Sequence, residues 1–193
     1  MAEITGLLLA AGESTRFGAN KLTTPLSGRA LVLYAVQALS PCDRIIAVVR
    51  PDDDELQSLL QTTEVITVTN TKAWRGMGSS IACGVNASRG SDGWCILPAD
   101  MPRVTTVTTL RIVNALRTGV ALVAPFYQNR RGHPVGFNKD YASSLTTLKS
   151  EYGARSIIEE HQDKLLRIDT DDAGVVLDID TAKELAMLEQ ALV

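Results

Sequence analysis

Short apolar runs rich in Val, Ile and Leu recur at residues 4–9, 44–49, 64–68, 94–97 and 121–124. They read as strands buried on both faces of a sheet. Segments with helical spacing lie between them, at 30–39, 53–60, 79–87 and 106–116. This alternation predicts an α/β fold in which helical crossovers join parallel strands. Sheets of that kind take ligands beyond the carboxyl ends of their strands. The segments that follow the first, third and fourth runs are therefore predicted to share one edge. Asp52, Asp53 and Asp54 follow Pro51 and read as a helix cap and a solvated face.

After Pro125 the rhythm changes. Residues 126–132 are polar and basic and read as a loop entering a short extended piece at 133–137. Stretches 142–148 and 154–161 read as short helices, 165–168 as a strand, and 182–192 as a terminal helix with apolar positions at 185, 188 and 192. No repeat or Pro/Gly-rich linker divides the chain, and its 193 residues fit the prior of about 150 per domain better as one domain than as two. We expect a single domain, 1–193, with subregions 1–125 and 126–193.

A hydrophobic share of 45% with 21% charged residues is ordinary for a globular chain. The net charge of -3 and pI near 5.4 exclude broad nucleic-acid binding, which needs a basic surface to displace counterions. Any anion site must be local. Cys42, Cys83 and Cys95 are odd in number and lack CxxC spacing, so neither a disulfide framework nor a zinc site is expected. The first strand begins within three residues of Met1, which leaves no room for a signal segment, and no apolar run nears the roughly 20 residues that span a bilayer. A cytoplasmic protein with no membrane partner is expected.

The first strand leads into Leu9, Ala10, Ala11 and Gly12, then Glu13, Ser14, Thr15, Arg16, Phe17, Gly18, Ala19, Asn20 and Lys21. Small residues let backbone amides approach an anion, and two spaced cations supply charge. The segment is a candidate triphosphate grip, although five residues separate its glycines and it is neither a Walker loop nor GxGxxG. Asp100, at the end of the fourth apolar run between Pro98 and Pro102, is a rigidly held carboxylate suited to Mg²⁺. Its competing role as a helix cap falls more naturally to a threonine at 105 or 106. Asp178 and Asp180 alternate, so an extended chain turns both to one face, where one of them joins Asp100; Asp180 is equally a candidate cap, with Glu184 in the first turn.

Trp74, Arg75, Gly76, Met77, Gly78, Ser79 and Ser80 precede a helix and read either as a loop around a flat base or as an ordinary capped loop. Arg130, Arg131, Gly132 and His133 offer cations to a second anionic substrate. A lone histidine is more often a hydrogen-bonded structural residue than a base or ligand. Ser14 has no serine-hydrolase context.

Together these pieces make the chain resemble the MobA-like nucleotidyltransferases of molybdenum-cofactor maturation, above all the molybdenum cofactor cytidylyltransferase branch. The likeness runs nearly full length through LLLAAGESTRFGANKL from Leu7, GMGSSI from Gly76, PADMP from Pro98, RGHPVGF from Arg131, YGAR from Tyr152 and LDIDTAKEL from Leu177. The resemblance implies a Rossmann-like, three-layer α/β/α fold with a mostly parallel mixed sheet. It implies CTP held by Leu9, Ala10, Ala11, Gly12, Arg16 and Lys21, with residues 76–80 around the base. Arg16, Lys21 and Asp100 are the implied catalytic groups, and Asp100 with Asp180 the implied ligands of Mg²⁺. Arg131, Gly132, His133, Glu151 and Arg155 are implied to face molybdenum-bound molybdopterin, with a recipient molybdoenzyme or its chaperone as a further partner. Ala11 stands where guanylyltransferase relatives carry glycine, which favours cytidine. Two departures bear on the acceptor: Glu151 replaces the family's aspartate, and Met101 a frequent glutamine. Transfer to a sugar or alcohol phosphate, GTP-dependent guanylyl transfer, and a non-catalytic nucleotide-sensing or cofactor-chaperoning module remain open.

Overall fold

The computed structural model describes residues 1–13, 17–18, 20–149 and 151–190. The chain runs through β1 (Ile4–Leu9), β2 (Pro25–Leu26), β3 (Arg29–Ala30), α1 (Leu31–Ala38), β4 (Arg44–Val49), α2 (Asp54–Leu60), β5 (Ile66–Thr69), α3 (Met77–Ala87) and β6 (Gly93–Pro98). It continues with α4 (Thr106–Arg117), β7 (Leu122–Tyr127), β8 (Arg130–Arg131), β9 (Val135–Asn138), α5 (Ala142–Thr146), α6 (Arg155–Glu160), β10 (Leu165–Asp169) and α7 (Ala182–Gln190).

Side chains alternate across a strand, and in β1 both faces are apolar. Ile4 and Leu8 enter one core with Leu31 of α1, Leu56 of α2, Ile112 of α4 and Leu185 of α7. Leu7 and Leu9 enter the other with Ile81 of α3, Leu145 of α5 and Ile157 of α6. Helices thus cover both sides of the sheet, giving the expected three layers. The strand order is β10-β7-β9-β6-β1-β4-β5, with β8 paired to β7. β1 is parallel to both β4 and β6, and β4 to β5. β9 is antiparallel to β6 and β7, which makes the sheet mixed.

The chain goes from β1 outward to β4 and β5, then returns to lay β6 on the other side of β1. Such a switch opens a crevice at the strand ends. Leu9 and Pro98, the last residues of β1 and β6, are paired there.

Three local expectations change. The third run, expected to be buried on both faces, is an edge strand with Ile66 and Thr69 exposed, because among the described residues no strand pairs beyond it. The predicted loop at 126–132 is a hairpin: β7 continues through Pro125, and Phe126 and Tyr127 pair with Arg131 and Arg130. Its turn residues Gln128 and Asn129 both have positive φ, at 47° and 64°, as a tight hairpin with the sheet's twist requires. Helix α3 starts at Met77, so Ser79 and Ser80 lie in its first turn.

The capping readings resolve residue by residue. The Asp53 side chain accepts the Leu56 amide and Thr105 that of Thr108, starting α2 and α4. Position 192 of the terminal helix lies outside the described residues, whereas Leu185 and Leu188 are buried as predicted.

Candidate active site

The three segments predicted to share an edge do so. The end of β1 contributes Leu9, Ala11, Gly12 and Glu13 to one cavity of about 420 Å³; the segment after β5 adds Ala73, Trp74, Gly76, Met77 and Ser80, and the end of β6 adds Pro98 and Asp100. Ala10 is buried in the core, its amide bonded to the Val48 carbonyl at 2.9 Å. Arg16, like Ser14, lies outside the described residues.

The far end of the grip is fixed from two directions. Asn20 Nδ2 donates to Asp53 Oδ1 at 2.7 Å, and the Val32 amide donates to the Leu22 carbonyl at 3.0 Å. Between these anchors, Lys21 Nζ reaches Asp100 Oδ2 at 2.8 Å and Asp180 Oδ1 at 3.5 Å. The helix cap is supplied by Thr181 rather than Asp180: the Thr181 Oγ1 accepts the Glu184 amide, and Glu184 Oε2 accepts the amides of Asp180 and Thr181. That reciprocal pattern is a capping box. The Ile179 amide donates to the Asp100 carbonyl at 2.9 Å and fastens the 177–180 segment beside the β6 loop.

Asp100 Oδ1 is buried with no hydrogen-bond partner among the described residues. An orphaned carboxylate oxygen beside a second carboxylate is the donor chemistry that Mg²⁺ or Mn²⁺ prefers. Among the described residues no cluster of three or more His, Cys, Asp or Glu forms a closed cage. Asp100 and Asp180 therefore fit a cation that keeps water and substrate phosphate as its other ligands.

The 73–80 wall of the cavity depends on a residue that pattern reading missed. Asn70, buried at the end of β5, donates from Nδ2 to Ser79 Oγ at 3.0 Å and Ser80 Oγ at 3.1 Å, while its Oδ1 accepts the Lys72 amide. Ser79 Oγ also faces the carbonyls of Lys72 and Gly76, each at 2.9 Å, so its hydroxyl is used within the loop. Ser80 lines the cavity, whereas Gly78 is buried in the helix. The only sequence signal for Asn70 was its place after a strand and before the glycine segment. Trp74 is 73% exposed on the rim, with Arg75 stacked 4.9 Å from its ring.

Gly76 has φ +90°, and a Cβ there would stand 2.6 Å from Glu151 Cα. Only glycine allows the 151 segment to close this tightly against the loop. Glu151, Leu9 and Met77 also line a second cavity of about 330 Å³. Its walls include Ile81, Ile96, Val135, Phe137 and Ile158, and its polar groups include Arg131, His133 and Arg155. Arg155 is held charged by Glu159, whose Oε1 accepts its Nε at 2.7 Å. Burial first, then the charge of Arg155, draws the Arg131 guanidinium below its ordinary value. Two guanidinium groups thus face this wall, where Glu151 also lies and Glu159 pairs with Arg155.

His133 is kept neutral, its pKa drawn down to about 4 chiefly by burial. The cations that the 130–133 segment brings to this wall are therefore its arginines, with Arg131 in the lining. Gly132 is a packing residue: its amide bonds the Pro125 carbonyl at 2.8 Å, and a Cβ would meet the Val175 carbonyl at 2.3 Å. Met101 is buried in the core and touches a smaller cavity of about 260 Å³, shared with Asp100, Arg131 and Asp178. No helix among the described residues is long and apolar enough to cross a membrane.

Known proteins share this fold. A family model described as the MobA-like NTP transferase domain matches residues 6–165. The purine catabolism protein PucB of Bacillus subtilis is 29% identical over 202 residues, covering 98% of this chain and 97% of PucB. A nucleotidyl transferase of Methanothermobacter superposes with TM-score 0.83 at 19% identity, covering 98% of this chain and 97% of that one. Rv0371c of Mycobacterium tuberculosis H37Rv, in a complex with manganese, superposes with TM-score 0.76 at 22% identity over 98% and 99% of the two chains. With the model matching most of its length, this chain belongs to the MobA-like NTP transferase family, a family of nucleotidyltransferases.

Proposed function

We propose that the protein transfers CMP from CTP to molybdenum-bound molybdopterin, releasing pyrophosphate and forming the cytosine dinucleotide cofactor. The observation that carries this reading is the shared wall of two cavities, one bordered by the grip and Asp100, the other apolar with cations at its edge. A nucleotide and a flat, phosphate-bearing acceptor suit those two chemistries. A sugar phosphate, whose hydroxyls each need a polar partner, suits the second cavity less well. In this reading one domain holds both substrates in the cytoplasm, residues 1–125 binding nucleotide and 126–193 binding the acceptor and closing the site, and the product passes to a molybdoenzyme or its chaperone.

An oxygen of the acceptor's terminal phosphate attacks the α-phosphorus of CTP; the bond from that phosphorus to the bridging oxygen breaks, and pyrophosphate leaves with the electron pair. A phosphate monoester has a second pKa of about 6 and is largely ionised near neutral pH, so no protein base is needed. The barrier is the approach of two polyanions, which fixed cations and positioning lower. Arg131 and Arg155 draw the acceptor to the shared wall, and Arg16 and Lys21 neutralise charge on the departing pyrophosphate. Asp100 and Asp180 would hold Mg²⁺, which when bound would supply further positive charge at the phosphates.

The test presents the purified protein with each of four nucleoside triphosphates, with and without molybdenum-bound molybdopterin, and follows pyrophosphate. Turnover with CTP that requires the pterin is expected. Turnover with GTP instead moves the assignment to guanylyl transfer, activity only with sugar or alcohol phosphates overturns the acceptor, and nucleotide binding without pyrophosphate favours a sensing or chaperoning module.

A further inference from the structure

The three cysteines lie far apart in the sequence, and the sheet sorts them two to one. Cys95 enters the core that Ile4 and Leu8 share with α1 and α4, and Cys42 packs against that core. Cys83 packs on the opposite side of the sheet, against the other core. What brings Cys42 to Cys95 is a glycine. Gly6 of β1, between Ile4 and Leu8 on the same face, is the register partner of Cys95 in β6, and adjacent strands stand about 4.8 Å apart. Gly6 puts no side chain on that face, and the turn after α1 fills the space: a Cβ there would stand 3.2 Å from Cys42 Sγ and 3.3 Å from Cys42 Cβ. The turn is fastened in this position, the Asp43 amide donating to the Ile4 carbonyl at 2.9 Å and the Ile4 amide to Asp43 Oδ2 at 2.8 Å. The Cys42 thiol therefore lies over β1 with Cys95 on the next strand, and the two thiols interact directly.

Their surroundings differ. Cys42 is half-buried, whereas Cys95 is fully enclosed. Burial, with Cys42 adding to it, pushes the Cys95 thiol well above its ordinary value, and burial raises the Cys83 thiol as well. An oxidant arriving from solvent meets Cys42 first. We propose that Cys42 and Cys95 are a redox pair, in which Cys42 meets an oxidant of the peroxide class and Cys95 resolves it into a disulfide. The Cys42 thiolate sulfur attacks a peroxide oxygen; the O–O bond breaks, and the second oxygen leaves with the electron pair and takes a proton to become water. The Cys95 sulfur then attacks the sulfenic Cys42 sulfur, the S–O bond breaks, and the hydroxyl leaves as a second water with the Cys95 proton. Two thiols lose two electrons and the peroxide gains them. The disulfide ties the turn after α1 to the strand that leads to Asp100, and it spares Cys42 the irreversible step to sulfinic acid. A thiol reductant reverses it, as with the transient disulfides of reducing compartments. Gly6 positions the pair.

The test treats the full chain with hydrogen peroxide under native conditions, then counts thiols in denaturant and maps peptides without reductant. Free thiols in wild type should fall from the three present at the start to one, with Cys42 and Cys95 in one linked peptide and Cys83 still free. Dithiothreitol should return all three. Cys42→Ser should keep Cys95 as a thiol over the same exposure, whereas Cys95→Ser should let Cys42 run on to sulfinic acid. Gly6→Ala, whose methyl would displace the Cys42 sulfur, should slow disulfide formation about tenfold, as misplacing a reacting atom does. Should Cys95→Ser fail to fold, Cys42→Ser and Gly6→Ala carry the test. A link through Cys83 or between two chains, sulfinic acid at Cys42 of wild type with no disulfide, or three thiols that survive peroxide overturns the proposal. So does Gly6→Ala cross-linking at the wild-type rate.

Discussion

Lys21 Nζ sits 2.8 Å from Asp100 Oδ2, and that side chain is only 11% exposed. The ammonium also lies 3.5 Å from Asp180, so one cation separates two carboxylates drawn together from distant parts of the chain. Removing it leaves like charges facing each other in a partly desolvated place, a situation that destabilises a fold. Lys21→Ala should therefore lower stability by about 1–3 kcal/mol as well as weaken nucleotide binding. Millimolar Mg²⁺ should restore part of the lost melting temperature, and the restoration should vanish when Asp100→Asn is added. A melting temperature for Lys21→Ala that ignores Mg²⁺ would show that the two carboxylates do not form a cation site.

Gly76 and Glu151 make a contact of a different kind, backbone against backbone. A methyl group at Gly76 would press on Glu151 Cα from 2.6 Å, and the φ of +90° strains any side chain. Gly76→Ala should cost about 1–3 kcal/mol and raise KM for both substrates, because residue 151 belongs to both cavities. Glu151→Gly should not rescue it, since Cα remains. Rescue by that second change would assign the crowding to the Glu151 side chain instead.

These two contacts mark the boundary of what the residue pattern revealed. Strand β1 was legible because Ile4, Leu7, Leu8 and Leu9 feed two cores and have no other place to go. Asp100 was legible because a carboxylate held between two prolines after a buried strand has few structural uses. The hairpin at 126–131 was not, since Gln128 and Asn129 take the positive φ that Asn-Gly usually announces. Asn70 was hidden because its partners lie nine and ten residues away, across a turn. Asp180 was ambiguous until the Thr181 and Glu184 box removed it from capping duty.

Asn70 is expected to matter through the serines it holds. Asn70→Ala would leave the buried Ser80 hydroxyl without its donor and loosen the start of α3, costing about 1–3 kcal/mol. Ser79→Ala should lose stability with it, as its hydroxyl is tied to the loop carbonyls. Ser80→Ala should instead raise the nucleotide KM with a smaller effect on melting temperature, because Ser80 lines the cavity. Denaturation and steady-state kinetics on the three variants separate the roles. Equal effects of Ser79→Ala and Ser80→Ala on nucleotide KM would show that the hydroxyls are not divided in this way.

His133 should leave a signature in the pH dependence of stability. Its pKa falls from an ordinary 6.5 to about 4 in the folded chain, chiefly through burial and further through Arg131, against the Ile96 hydrogen bond and Asp178. The folded value lies below the unfolded one, so between them the unfolded state binds the extra proton and stability falls as pH drops. Above about 6.5 the term is constant; below about 4 both states are protonated and it stops growing. The window is distinct from that of Asp92, held low by the Glu3 amide and Lys139, whose contribution is lost only as pH falls below the ordinary 3.8. Denaturation of wild type and His133→Gln between pH 7.5 and pH 4.5 should therefore show wild type losing up to about 3 kcal/mol relative to the variant. Parallel stability curves for the two proteins would mean that folding leaves the proton affinity of the ring unchanged.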